Sequence, residues 1–375
     1  MVLHDMNYLS QIILSITFGA LLCVPICLAA HEDSMKLGLP PVPNPVENPL
    51  SSAKIALGQK LFFDKRLSGD GSISCASCHH PEHAFSDGLP VAKGIGGQLG
   101  TRNTPSLMNV AFNVTQFWDG RRPSLDAQAL DPFVNSHEHG LNNQQALIEI
   151  LRSDPEYVSA FQTAFQVSPS RIEAKHIGQA IASFERTLVA GNSPFDQYFF
   201  QGDRTALSRS AVNGLSLFRG RAGCATCHTI EKTHALFTDN EFHSLSIGLK
   251  KIELRLADIA KYLIKARDRG ANLDQTVISD KDIAALGRFA VTFQPADIGK
   301  FRTPSLRNVA RTAPYMHDGS IASLEEAVEL ELYYRSAEAG RPLILTPLEK
   351  SDLVEFLKSL NSPPQLSETL HTTKE

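Results

Sequence analysis

Cysteine is scarce in this chain, and none of it is spare. Six occur in 375 residues. Cys23 and Cys27 sit in an N-terminal apolar stretch, and the other four fall in two copies of one pattern. That leaves nothing for a disulfide framework. Long apolar runs are missing after Ala30, which excludes a bundle of membrane spans. Positive charge is not in excess: 36 Lys and Arg face 40 Asp and Glu, a net charge of −4. That balance argues against a nucleic-acid partner. Few segments alternate at period two, so a sheet-dominated fold is excluded. Trp118 is the one tryptophan, and only Met35, Met108 and Met316 follow the apolar stretch.

What is present is decisive. Cys75-Ala76-Ser77-Cys78-His79 and Cys224-Ala225-Thr226-Cys227-His228 are both C-x-x-C-H. This spacing suits c-type haem attachment: two thiols add to the haem vinyls and the next His ligates iron. Zinc would want four ligands at each site, and each motif offers three. Two covalent haems are therefore expected as cofactors, held by Cys75, Cys78 and His79 and by Cys224, Cys227 and His228.

The segment Ile12 to Ala30 is almost wholly apolar and ends in small residues before His31-Glu32-Asp33. It reads as a signal peptide or, lacking a basic start, as an N-terminal anchor over 1–30. Either implies export to the periplasm, where c-type haem is attached, with membrane contact only if the segment is kept. Residues 31–49 form a proline-rich lead-in that cannot be helical. The pattern then turns helical: a short helix after Ser51-Ser52, one from Ser168-Pro169 to Gly191, one over about Thr205 to Phe218, one from Ser323 to about Arg335 and one from Thr346 to Leu360. The last has Pro347 at its first position and Glu349 set for a capping box. The expected fold is mostly α with long loops that wrap haem. His176 reads as a core histidine and His243 as a residue of the second haem pocket.

The chain also repeats itself. Arg102-Asn103-Thr104-Pro105-Ser106-Leu107 resembles Phe301-Arg302-Thr303-Pro304-Ser305-Leu306, at a constant offset of 199 that carries Trp118 onto His317. Gly58 to Phe62 mirrors Gly214 to Phe218 ahead of each haem motif. The haem motifs are 149 apart, so the second half carries about 50 extra residues between motif and repeat. Two cytochrome c-like haem domains follow, set at 50–203 and 204–365 with a tail over 366–375. The extra stretch holds a Lys- and Arg-rich segment, Lys250 to Arg269, read as a solvated helix face in preference to a docking surface.

These residues, with Leu67-Ser68-Gly69-Asp70-Gly71, Ala84-Phe85-Ser86-Asp87-Gly88 and Ala313-Pro314-Tyr315-Met316-His317-Asp318-Gly319, resemble the bacterial di-haem cytochrome c peroxidase family, nearest its MauG-type branch. The resemblance implies a peroxidatic N-terminal haem and an electron-transfer C-terminal haem facing each other across a domain interface. It implies His79 and His228 as iron ligands, Trp118 between the haems, and Gln128 and Glu138 in the distal pocket. It also implies a calcium site of Asn103, Thr312 and Pro314, an oxygen-only set that suits Ca²⁺.

Two departures from the family pattern matter. The loop that carries a distal His in ordinary peroxidases reads Lys93-Gly94-Ile95-Gly96-Gly97-Gln98, with Ile95 in its place. Ile binds no iron, so an open N-terminal haem is expected. The second departure is at Glu331, where those enzymes carry a Met ligand and the MauG-type enzymes a Tyr. Tyr333 or Tyr334, just beyond, is expected as sixth iron ligand of the C-terminal haem, with Glu331 as runner-up. The expected activity is reduction of hydrogen peroxide with oxidation of a partner protein. The rivals are a peroxidase fed by a small cytochrome or cupredoxin, and a di-haem electron carrier without catalysis.

Overall fold

The computed structural model describes residues 36–338, 340 and 342–363. The apolar stretch read as a leader and the tail over 366–375 lie outside the described residues. The fold is mostly helical, as expected, and among the described residues it has one two-stranded antiparallel pair, Phe242–His243 with Phe301–Arg302. No helix of the described residues is long and apolar enough to cross a membrane.

Helix α1, Ser52–Phe63, starts where Ser51 accepts the Lys54 N–H, an N-cap that satisfies an orphan donor. A short helix α2, Leu125–Gln128, is capped by Ser124. Helix α3, Ala174–Glu185, begins later than the sequence suggested. Ser168-Pro169 opens only a 3₁₀ turn over Pro169–Arg171. Arg152 donates to the carbonyls of Ser170 and Ile172, each at 2.8 Å, and holds this stretch outside the helix. The His176 ring instead accepts the Glu173 N–H and starts α3 there. The helix also stops at Glu185, short of Gly191.

Helix α4, Arg209–Arg219, is capped by Ser208. In the extra stretch lie α5, Leu256–Asp268, and α6, Leu273–Ser279. Helix α7, Leu324–Glu338, and α8, Pro347–Lys358, follow in the second half. The Thr346–Glu349 capping box forms as the sequence indicated.

The two halves use one plan. Helix α1 crosses α3 at Gly58, where a Cβ would stand 1.9 Å from the Ala180 carbonyl oxygen. Helix α4 crosses α8 at Gly214, where a Cβ would stand 2.0 Å from that of Asp352. Only glycine allows backbones so close. Asn109 and Asn308, 199 apart, both adopt left-handed backbone and both bind the chain after the crossing helix, through Ala190 N and Ser362 N.

Apolar burial separates into three cores. One includes Phe62, Phe85, Phe133, Ile181 and Phe184. The second includes Phe218, Phe237, Val328, Leu353 and Phe356. Phe195 belongs to the second, with Tyr198, Phe199 and Phe200 packed at its edge. The chain therefore passes into the second core before residue 203, earlier than the boundary drawn from sequence. The third core, with Ile252, Leu263, Val277 and Phe289, belongs to the extra stretch. The lead-in is fastened where the halves meet: Arg307 donates to the Gly38 carbonyl at 2.7 Å while paired with buried Asp196.

Candidate active site

Each C-x-x-C-H motif bends through a 3₁₀ turn, Cys75–Ser77 or Cys224–Thr226. The turn brings both thiols and the imidazole to one cavity wall. Cys75, Cys78 and His79 line a cavity in the first half, and Cys224, Cys227 and His228 line a second. His79 Nδ1 lies 2.8 Å from the Phe85 carbonyl, and His228 Nδ1 lies 2.8 Å from that of Phe237. A carbonyl only accepts, so each Nδ1 carries the proton and each Nε2 keeps its lone pair. Burial lowers the pKa of both, that of His228 to about 4. Neutral imidazoles with fixed tautomers are what iron ligation requires, and the two walls fit covalent haem.

Gln128 and Glu138 both line the first cavity, so the structure brings together the distal pair expected from sequence. Helix α2 delivers Gln128. The chain then turns back at Asn135, whose Oδ1 accepts the His137 N–H, and at Gly140, which has φ +72°. That turn sets Glu138 on the wall. Burial raises the Glu138 pKa, and the positive charge of Arg121 partly opposes it. Ile95 does not line this cavity. It packs over Gly140 and Gly69, and its N–H binds the Glu138 carbonyl at 2.9 Å.

Trp118 lines both cavities. Its indole N–H donates to the Asn103 carbonyl at 2.9 Å, which fixes the ring between them. Around it the halves are stitched by two backbone bonds, Asn103 N–H to His317 O at 2.9 Å and Arg302 N–H to Trp118 O at 2.8 Å. Asn103, Thr312 and Pro314 all line the second cavity. His243 lines it as well, paired with Asp239 at 2.8 Å.

The tyrosines expected as the sixth ligand are not brought to the site. Tyr333 is 72% exposed and stands edge-on to Tyr334, and neither lines the cavity. The reason is helical phase. Helix α7 presents Ala327, Val328, Glu331, Leu332 and Arg335 to the cavity, positions that share one face of an unbroken helix. Tyr333, two residues past Glu331, falls on the far side. Glu331, the runner-up, is the residue on the wall. Met108 and Met316, which fit no expected ligand position, line the same cavity.

Sequence reasoning missed four further groups on these walls. Glu185 lines the first cavity at 4% exposure, and burial pushes its carboxyl up to about 8. His139 lines it too, with burial lowering its pKa to about 4. Arg302 lines both cavities. Val277 and Ile278 of α6 come from the extra stretch, yet they wall the first cavity. Asp274 clasps that helix to Arg122 at 2.5 Å, and Thr101 donates to the Val277 carbonyl at 3.0 Å. Helix α5, by contrast, is a solvated face with Leu263 as its buried residue. A buried Asp119 lies behind the site, where Arg102 and Arg121 hold its carboxyl well below the usual range against the opposing effect of burial.

Comparison with known proteins identifies the family. The family model of di-haem cytochrome c peroxidase matches residues 52–205. A cytochrome-c peroxidase IdrP1 of Pseudomonas sp. (strain SCT) is 38% identical over 342 residues, covering 86% of this chain and 84% of that protein. The methylamine utilization protein MauG of Methylorubrum extorquens is 38% identical over 330 residues, covering 86% and 82%. The crystal structure of a MauG-like protein associated with microbial copper homeostasis superposes with a TM-score of 0.68 at 32% identity, covering 87% of this chain and 94% of that one. Peroxide as oxidant and a redox partner follow from this kinship. The chain belongs to the di-haem cytochrome c peroxidase family and is a peroxidase with two c-type haems.

Proposed function

We propose that this protein is an exported, periplasmic enzyme that reduces hydrogen peroxide at the N-terminal cavity and oxidises a partner protein. The observation that carries the reading is the wall of that cavity. Glu138 and Gln128 face the same space as Cys75, Cys78 and His79, and the loop residue Ile95 is turned away from it.

The bound haem supplies the iron at which peroxide is reduced and from which oxidising equivalents pass on. His79, fixed by the Phe85 carbonyl, offers Nε2 to that iron. Glu138 takes a proton from the near oxygen of peroxide and returns it to the leaving oxygen. Burial raises its pKa and so favours proton uptake, and such positioned transfer is worth roughly 10²–10⁴ in rate. Gln128 orients the oxygen with its amide. Trp118 carries electrons between the cavities. On the C-terminal side Glu331 is the α7 acid on the wall of the cavity that His228 also lines, and it would be the α7 candidate to hold the second haem's iron.

A calcium ion held by the Asn103 side chain and the Thr312 and Pro314 carbonyls fits the same wall. Asn103 spends its amide N–H on the Leu89 carbonyl at 2.8 Å, which leaves Oδ1 to ligate. Neither carbonyl accepts a hydrogen bond among the described residues. Chelator treatment should then change the spectrum of the C-terminal haem, and no change on verified calcium removal counts against the site.

The deciding experiment adds stoichiometric hydrogen peroxide to the fully oxidised protein without reductant. An immediate shift of the haem spectrum is expected. No reaction until one haem is reduced would establish the cycle fed by a small cytochrome or cupredoxin. No reaction even then would leave an electron carrier.

A further inference from the structure

A buried charge is costly unless a counter-charge is supplied. Four buried or nearly buried arginines of this chain obey that rule. Arg102 and Arg121 share Asp119 at 2.7 and 3.1 Å. Arg186 takes Asp126 at 2.7 Å, and Arg307 takes Asp196 at 2.9 Å. Arg302 does not. It is 6% exposed, yet among the described residues its guanidinium meets only neutral acceptors, Asn113 Oδ1 at 3.1 Å and the Thr303 carbonyl at 3.3 Å. Its Nε has no partner among the described residues. Burial lowers its pKa to about 10, with no acid opposing the effect.

Its position identifies the missing anion. Arg302 lines both haem cavities, and its own N–H is tied to the Trp118 carbonyl between them. A c-type haem brings two propionate carboxylates. The fork of a guanidinium suits carboxylates, and it has two edges to offer. We propose that Arg302 is the shared counter-ion of propionates from both haems, so that one cation sets the potentials of both. The equivalent position in the first half is Asn103, which also lines both cavities but is neutral. Of these two repeat positions, Arg302 alone carries a side-chain charge.

The test uses the holoprotein, after haem content confirms two haems per chain. Arg302→Gln and Arg302→Lys are titrated spectroelectrochemically at both haems. A positive charge favours the reduced, less positive form. Loss of charge in Arg302→Gln is therefore expected to lower both potentials, while Arg302→Lys stays nearer the parent at both. An unchanged pair of potentials overturns the proposal, and so does a shift confined to one haem. A merely structural arginine would lower the melting temperature and move neither potential. Should Arg302→Gln fail to retain two haems, Arg302→Lys decides alone. Its resonance Raman propionate bands should shift at both haems as a fork is exchanged for an ammonium. Bands unchanged at either haem sink the idea.

Discussion

The two cavities are built on the same plan and finished differently. At the repeat offset, Gln128 stands where the second half has Ala327, and Pro132 where it has Glu331, all four on cavity walls. At the paired crossing helices, Glu185 of α3 takes the place of Leu357 in α8, again both on walls. Ser124 and Ser323 begin equivalent helices, but α7 runs unbroken to Glu338, while α2 ends at Gln128 and a separate short helix, Asp131–Val134, follows it. There Asn135 turns extended and the chain doubles back through Gly140, which places Glu138. The continuous helix of the second half has no such return. Besides these side chains, the two walls differ in where one helix ends.

The largest effect should come from erasing that difference at its chemical centre. Glu138→Gln is expected to slow the stopped-flow reaction with peroxide by roughly 10²–10⁴-fold while haem content holds. The base acts only when ionised, so the parent rate should fall on acidification, with a midpoint above that of an ordinary glutamate because burial raises this pKa. The acid limb should vanish in the variant. An unaltered pH profile would remove Glu138 from the proton path.

Gln128→Ala gives the first wall the residue of the second. Loss of one preorganised polar group should cost roughly 10²-fold or less in the same assay. A loss as large as that of Glu138→Gln would assign it more than orientation.

Glu185→Gln sharpens the third contrast through stability. Its carboxyl rises from an ordinary 4.5 to about 8 on folding. Below 4.5 both states hold the proton and the group contributes nothing. As pH climbs from there, the unfolded chain ionises first, so the folded state loses stability until about 8. The melting temperature of the variant should gain on the parent across that window. Parallel curves would mean that Glu185 is ionised and paired in the holoprotein.

The smallest effect is expected at the clasp. Asp274 and Arg122 are each about a third exposed, so Asp274→Asn should change stability by about 1 kcal/mol or less. Faster cyanide binding at the N-terminal haem would show that α6 controls entry; an unchanged rate would make it a fixed wall.

How much of this was legible in the sequence follows from sequence separation. The haem motifs, the cap of α1 and the Thr346–Glu349 box depend on neighbours within a few residues, and they formed as read. The repeat carried the pairing of Trp118 with His317 because the offset never slips. Tyr333 and Tyr334 misled because proximity in sequence was weighed without helical phase. Val277 and Glu185 were invisible for another reason: each reaches its cavity through contacts more than 100 residues away, such as Thr101 with Val277. Nothing local marks such a residue as a wall. The orphan state of Arg302 likewise emerges only once every buried acid has been assigned.

The two stitches at Trp118 have a consequence for descent. Asn103 binds His317 and Arg302 binds Trp118, and these are the same two repeat positions with the partners exchanged. That reciprocity is the signature of a two-fold axis, the arrangement by which identical subunits pair. The chain reads as a symmetric pair of one-haem proteins joined end to end. In such a dimer, altering one position alters its mate as well. Joined in one chain, the mates are free to diverge, and they have: arginine against asparagine, histidine against tryptophan.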